Sequence, residues 1–293
     1  MKKLFYGISC CMIAGAFMAC GGGAKNNAGT PEGEAKDSTK STVPEYTVLD
    51  NPQVDLSKFK TDKDGYVVIF DGKTFEGWRG YGKDNVPGKW TIDNGAIKFN
   101  GTGGGEAQEA DGGDIIFAHK FKNFVLSLEW KVAKGANSGI FFLAQEVQTK
   151  NDKGETVMEP IYISSPEYQI LDNENHVDAM AGVDGNRKSA SLYDMIPAKP
   201  QNSKPFGEWN TAEIIVSKGT VFHKQNGETV VEYHLWTPQW TEMLQKSKFS
   251  EEKWPLAFEL LNNLGGPNRE GYIGLQDHGD DVWFRNIRVK VMD

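Results

Sequence analysis

The body of this chain has no cysteine. Of 293 residues only Cys10, Cys11 and Cys20 are cysteines, all within the first twenty. A disulfide framework, a Cys-ligated zinc and a Cys nucleophile are thereby excluded from everything that follows. Positive charge is also short, with Lys plus Arg at 32 against Asp plus Glu at 40 and a net charge of −8. Phosphate backbones are bound by basic faces, so a nucleic-acid partner is excluded. Histidine is scarce, five in all; His119, His223 and His234 are scattered, and no pair has the HExxH spacing of a zinc protease. No Gly-x-Ser-x-Gly elbow is present, which removes the α/β-hydrolase serine mechanism. The glycine-rich stretch Asn100-Gly-Thr-Gly-Gly-Gly-Glu106 follows a strand without opening a helix and matches neither nucleotide fingerprint, so no nucleotide cofactor is expected.

Long apolar runs are missing too. The stretch from Leu4 to Ala19 is too short for a comfortable membrane span, and Lys2 and Lys3 before it give signal-peptide flanks. Ala19-Cys20 fits a bacterial lipobox. The expectation is a signal peptide at 1–19, lipidation of Cys20, and contact with the membrane through that lipid alone. Residues 20–45 are Gly-, Ser-, Thr-, Lys- and Glu-rich with almost no large apolar residue. They cannot bury enough surface to offset ordering, and read as a flexible tether. Localisation in the cell envelope follows, on the outer membrane. No acidic cluster follows Cys20, which favours the periplasmic face.

What is present from 46 to 293 is alternation. Phe124, Leu126, Leu128, Trp130 and Val132 share one side of a strand, and Val125, Ser127, Glu129 and Lys131 the other. Asn94-Gly95 and Asn226-Gly227 each separate two such runs, a strong hairpin signal. Gly271–Gln276 and Val282–Val291 form a last pair around Asp277-His-Gly-Asp-Asp281. One helix is expected over Thr237–Lys248, with Pro238 in its first turn. Many short strands, 33 glycines, 8 tryptophans and one short helix predict an all-β fold: a jelly-roll β-sandwich of two antiparallel sheets, one curving into a concave groove. By alternation Trp130 and Trp283 belong to its core.

Two segments carry candidate chemistry. In Glu167-Tyr-Gln-Ile-Leu-Asp172, Tyr168 and Ile170 face one way and Glu167 and Gln169 the other. The bland reading is a solvated outer face; the functional one is a groove floor, with Asp172 and His176 at the strand end. In Gly274-Leu-Gln-Asp-His-Gly279, Ile273 and Leu275 face the core, Gln276 faces away, and Asp277 and His278 sit in a turn. A carboxylate, two amides and an imidazole on outward faces would suit a sugar or a metal.

These segments sit in a longer series. Val68–Trp78 (VIFDGKTFEGW), Trp90–Ile97 (WTIDNGAI), Asp114-Ile-Ile, Phe124–Trp130 and Asn137-Ser-Gly-Ile-Phe-Phe142 come in that order. Glu167–Asp172, Ser191-Leu-Tyr193, Gly207-Glu-Trp-Asn210, Asn226-Gly227, Gly274–Gly279 and Phe284–Ile287 complete it. Together they resemble the 3-keto-disaccharide hydrolase family over roughly 66–291. The resemblance implies a concanavalin A-like sandwich, cleavage of glycosides oxidised at C3, and a lipoprotein of a Gram-negative, Bacteroidetes-like envelope. One departure stands out. The family often has an Arg after its Ser-Gly-Ile-Phe-Phe run, where this chain has Leu143-Ala144-Gln145. Arg187 and Arg285 are candidates to replace that cation, although Arg285 could equally sit in a structural ion pair.

A 3-keto sugar has an acidified C2 hydrogen. A base can remove it, an enolate forms, and the bond from C1 to the leaving oxygen breaks. Glu167 and His278 are expected to share the acid/base work, with Gln169, Asp172, Arg187, Gln276 and Asp277 orienting an oligosaccharide or glycoside substrate, or a divalent metal ion. Two other readings remain at this stage. One is a non-catalytic, lectin-like binding protein on the same fold. The other is a conventional endoglycanase, whose E-x-D-x-x-E strand is not found in the sequence.

Overall fold

The computed structural model describes residues 43–102 and 111–293. The leader, Cys20, the tether as far as residue 42, and residues 103–106 of the glycine-rich stretch lie outside the described residues. The strands are β1 (Tyr46–Val48), β2 (Val67–Val68), β3 (Trp78–Gly80), β4 (Trp90–Asp93), β5 (Ala96–Phe99), β6 (Ile115–Phe121), β7 (Phe124–Val132) and β8 (Asn137–Ala144). Then follow β9 (Val147–Lys150), β10 (Thr156–Met158), β11 (Glu167–Leu171), β12 (Asn210–Ser217), β13 (Thr220–Gln225), β14 (Glu228–His234), β15 (Gly271–Leu275) and β16 (Val282–Val291). Two helices, α1 (Pro238–Lys246) and α2 (Pro255–Asn262), lie between β14 and β15.

An eight-stranded sheet, β14-β13-β12-β7-β16-β5-β4 with β2 added beside β16, packs on a five-stranded sheet, β11-β8-β15-β6-β3. The sandwich of antiparallel sheets expected from the sequence is what forms. A small third sheet, β1-β9-β10, adds to the two expected. The core between the large sheets holds Phe124, Leu126, Leu128 and Trp130 of β7 against Ile140 and Phe142 of β8 and Tyr168 and Ile170 of β11. Each fully buried side chain of this size contributes about 1.5–3 kcal/mol. His223 of β13 is buried in the same layer, its Nδ1 2.9 Å from the Ala190 carbonyl oxygen. The β4–β5 and β13–β14 hairpins turn on Asn94-Gly95 and Asn226-Gly227, all four with positive φ, as the tightest hairpin turn requires.

Two expectations need correction. Trp283 is not in the core. The pairing of β16 with β7 shifts between Arg285 and Arg288, with Asn286 at φ 54°. That bulge swaps the phase, so Phe284, Ile287 and Val289 are buried together while Trp283 lies outside, its Nε1 2.9 Å from Asp93 Oδ2. The second correction is α2, since only one helix was expected. Its N-cap is Trp254 and no side chain caps it. The start signal that Thr237 provides for α1 by accepting from Trp240 N–H is therefore missing. Tertiary burial of Leu256, Ala257, Leu260 and Leu261 stabilises α2 instead, and Trp240 Nε1 of α1 donates to Leu261 O at 2.8 Å.

The five-stranded sheet is covered on both faces. Every residue of β8, β11 and β15 is buried. Away from the sandwich core, Phe141, Ile116 and Tyr272 form a second small cluster with Tyr81, Ala144 and Ile161. Beside it Arg79 of β3 holds Glu146 through two bonds of 2.5 and 2.6 Å, joined by donors from Asn51 and Gly82. Burial alone would raise the Glu146 carboxyl; the Arg79, Asn51 and Gly82 bonds outweigh it and hold the group below its ordinary value.

Candidate active site

The outer face of the five-stranded sheet carries a narrow polar cleft lined by Asn137, Tyr162, Glu167, Gln169, Tyr193, Lys248, Gln276 and His278. Its floor is the sheet. Glu167 and Gln169 project from β11, Asn137 from the start of β8, and Gln276 and His278 from the end of β15 and the turn beyond. Between them, Gly139 of β8 pairs with Gln169, and its carbonyl accepts the Gln276 N–H. A Cβ at Gly139 would stand 2.4 Å from Glu167 Oε1. The Glu167 carboxylate therefore lies across β8 in space that only glycine leaves open. With its amide nitrogen turned toward them, Gln169 donates to Glu167 Oε1 and Ser138 O at 3.0 Å each. Gln276 is buried, and its Oε1 has no hydrogen-bond partner among the described residues. A ligand hydroxyl would satisfy it.

The roof comes from loops. Lys248 follows α1, and its ammonium lies 4.6 Å from the Tyr193 ring centre and 5.4 Å from that of Tyr162. Asp194 Oδ2 anchors its backbone by accepting the Lys248 N–H at 3.1 Å. Burial, then the charges of Glu167 and Asp178, push the Tyr193 phenol well above its ordinary value, so it stays protonated. Beside the cleft, donor atoms of His176, His278 and Asp280 lie within 4.8 Å of one another, the described group best suited to hold a cation. Burial shifts the His176 ring below its usual value.

The structure brings four expected residues, Glu167, Gln169, Gln276 and His278, to one cleft. The strands that carry them are not neighbours, because β8 runs between β11 and β15. Three other expectations are corrected. Asp172 accepts from Gly135 N–H, Glu174 N–H and Asn175 Nδ2, and so ties its own turn together outside the cleft. Asp277 is fully buried, accepting from Gly113 and Gly279 N–H at 2.7 and 2.8 Å; burial raises its carboxyl in spite of those donors. Arg187 is bound to Asp194 and Asp178 and lies 5.3 Å from the Tyr193 ring centre; it does not line the cleft. Arg285 pairs with Glu129 on the other sheet.

The cation of the cleft is Lys248, which the sequence reading missed along with Tyr162, Tyr193 and Asn137. Asn137 and Tyr193 had a signal, since each stands in a family-like run. Tyr162 and Lys248 stand in none. A larger cleft of about 740 Å³ on the eight-stranded sheet is lined by Glu129, Asn286 and Arg288 among others. Those three are bonded to Arg285, Glu129 and Asp62, respectively.

The chain is 65% identical over 293 residues, all of both chains, to the 3-keto-disaccharide hydrolase of Bacteroides thetaiotaomicron. A crystal structure of a Parabacteroides distasonis protein with a provisional glycosyl hydrolase name is 27% identical, with TM-score 0.63 over 78% of this chain and 95% of that one. A second such protein from the same organism, 24% identical with TM-score 0.54 over 78% and 99%, shares the fold. Residues 65–290 match the family profile described as the 3-keto-alpha-glucoside-1,2-lyase-like domain, and the chain belongs to that family.

Proposed function

We propose that this chain cleaves the glycosidic bond of 3-keto-disaccharides and related 3-keto glycosides by removing the C2 proton and eliminating the C1 substituent. The observation that carries this reading is the composition of the cleft. Among the described lining residues Glu167 is the single carboxylate, accompanied by one ammonium and two phenols. The oxocarbenium route of ordinary glycosidases uses a pair of carboxyl groups across the bond. Proton abstraction beside a ketone needs one base and a positive environment for the enolate.

In this mechanism Glu167 takes the hydrogen from C2, and the C–H pair becomes the enolate on the C3 oxygen. Lys248 stabilises that oxygen. The enolate pair returns to form the C1–C2 double bond as the C1–O bond breaks, and Tyr193 gives the leaving oxygen its proton. Water adding to C1, with a proton returned to C2, completes net hydrolysis. Gln169 holds the Glu167 carboxylate, and Gln276 accepts from a sugar hydroxyl. The slot is narrow, about 20 Å³, so the side chains of Lys248, Tyr162 and Tyr193 swing aside as the sugar docks.

The test is release of phenol from a chromogenic 3-keto glucoside. Deuterium at C2 should slow the reaction, and Glu167→Gln should lower turnover by at least about 10²-fold with an unchanged melting temperature. Wild-type rates in Glu167→Gln would refute the assignment, and tight binding with no release would favour the lectin-like reading.

The same reading places the enzyme in the cell envelope, anchored through lipidated Cys20 on the periplasmic side of the outer membrane. The Lys2-Lys3 region, the short apolar stretch and Ala19-Cys20 support this. Among the described residues no helix is long and apolar enough to cross a membrane. Cys20→Ala should abolish labelling by a fatty-acid probe.

A further inference from the structure

We infer that His176, His278 and Asp280 form a binding site for a divalent transition-metal ion at the rim of the cleft. Two segments supply it: His176 comes from the loop after β11, and His278 and Asp280 from the turn between β15 and β16. Two imidazoles and one carboxylate are the ligand set of many open zinc and related sites, in which the remaining positions go to water or substrate. Metal–ligand bonds of about 2.1 Å place donors roughly 3–4 Å apart. The three groups here offer donor atoms within 4.8 Å of one another, so small side-chain rotations complete the set.

The surroundings orient these groups. Asn137 N–H donates to Asp280 Oδ2 at 3.0 Å, and Asn137 Nδ2 lies 3.2 Å from His278 Nε2. The two imidazole rings stand edge to face, 6.1 Å between centres at 85°. The Asn137 N–H bond to Asp280 is the kind of outer contact that commonly fixes a metal ligand, whereas ligation of His278 displaces Asn137 Nδ2 or requires that amide to present its oxygen. His176 Nδ1 now accepts the Asp178 N–H at 3.1 Å. Ligation forfeits that bond through either nitrogen: through Nδ1 it takes the lone pair, and through Nε2 it sends the ring proton to Nδ1. Metal binding therefore loosens the Val177–Met180 turn that His176 caps.

Asn137 and His278 also line the cleft, so a bound cation would face the substrate. This part rests on the function proposed above. An ion there would polarise a ketone or hydroxyl oxygen as a Lewis acid. His278 would then act as a ligand and not as a proton carrier.

The experiment uses the full chain, stripped with a chelator and titrated calorimetrically with Zn²⁺ and with Mn²⁺. One ion per chain should bind and raise the melting temperature. His176→Ala and Asp280→Asn should each weaken binding about 10–100-fold, and the second variant keeps an oxygen for the Asn137 N–H. Glu167→Gln should bind metal as wild type does. No binding by the wild-type chain overturns the site, as does binding unchanged in both ligand variants. Turnover is read separately. If a 3-keto glycoside is cleaved by neither stripped nor loaded protein, the proposed function fails while the metal result stands.

Discussion

The outer faces of the two large sheets follow the same two-residue alternation but treat polar side chains in opposite ways. On the eight-stranded sheet the charges stand near water and are paired with neighbours. Lys98 and Lys131 cap Trp283, Lys131 and Arg285 cap Trp209, Arg285 holds Glu129, and Lys224 holds Glu213. On the five-stranded sheet, loops and helices roof the polar residues over. Glu167, Gln169, Asn137 and Gln276 are all buried there. Burying polar atoms is costly unless partners are supplied, and Gln276 Oε1 has none among the described residues. Sequence alternation alone does not separate a solvated face from a working one; the cover over the sheet does.

The largest expected contrast is in turnover. Glu167→Gln should cost at least about 10²-fold, whereas Glu129→Gln on the opposite sheet should leave turnover of the same 3-keto glucoside unchanged. Next is stability. Arg79→Met strands Glu146 in a buried setting and should cost about 3–5 kcal/mol by urea denaturation. Arg285→Met breaks a half-exposed pair and should cost about 1 kcal/mol or less.

The acid sensitivity of the core comes third. Burial lowers the His223 ring from 6.5 to about 4, against a smaller opposing effect of its bond to Ala190. The unfolded chain takes up that proton first, so this contribution is intact above pH 6.5 and is lost as pH falls from 6.5 toward about 4. The slope is up to about 1.4 kcal/mol per pH unit, and His223→Gln should flatten it in unfolding curves. The smallest effect on folding, with a clear one on activity, is expected from Gly139→Ala. No positive φ is found there, so the backbone tolerates alanine, but the methyl displaces the Glu167 carboxylate. Turnover should fall roughly tenfold or more, since about 1 Å of misplacement carries costs of that order.

Much of the sandwich was legible because its signals are local. β7 alternates over all nine residues, and both Asn-Gly turns sit where they should. The bulge in β16 was not legible, since one extra residue leaves no mark in composition yet reverses the phase of Trp283. Helix α2 lacks a cap, so only its burial reveals it. At the site, residues on strands were readable by phase: Glu167, Gln169 and Gln276 reached one cleft. Turn residues divided: His278 reached the cleft, whereas Asp172 and Asp277 fold back on backbone N–H groups that sequence spacing does not show. Lys248 and Tyr162 arrive from separate segments that only tertiary packing brings together.

The position of β8 between β11 and β15 has a consequence for how such enzymes diversify. Two interstrand steps, about 10 Å, separate the strand bearing the carboxylate from the one leading to the imidazole, and backbone pairing holds that gauge constant. Side chains on the bed cannot drift without disturbing the ladder beneath them. Tyr162 stands on the short 3-10 turn Ile161–Ile163, and Tyr193 and Lys248 on irregular connections; such segments tolerate exchange, so new preferences for the departing group should evolve from above while Glu167 stays where it is.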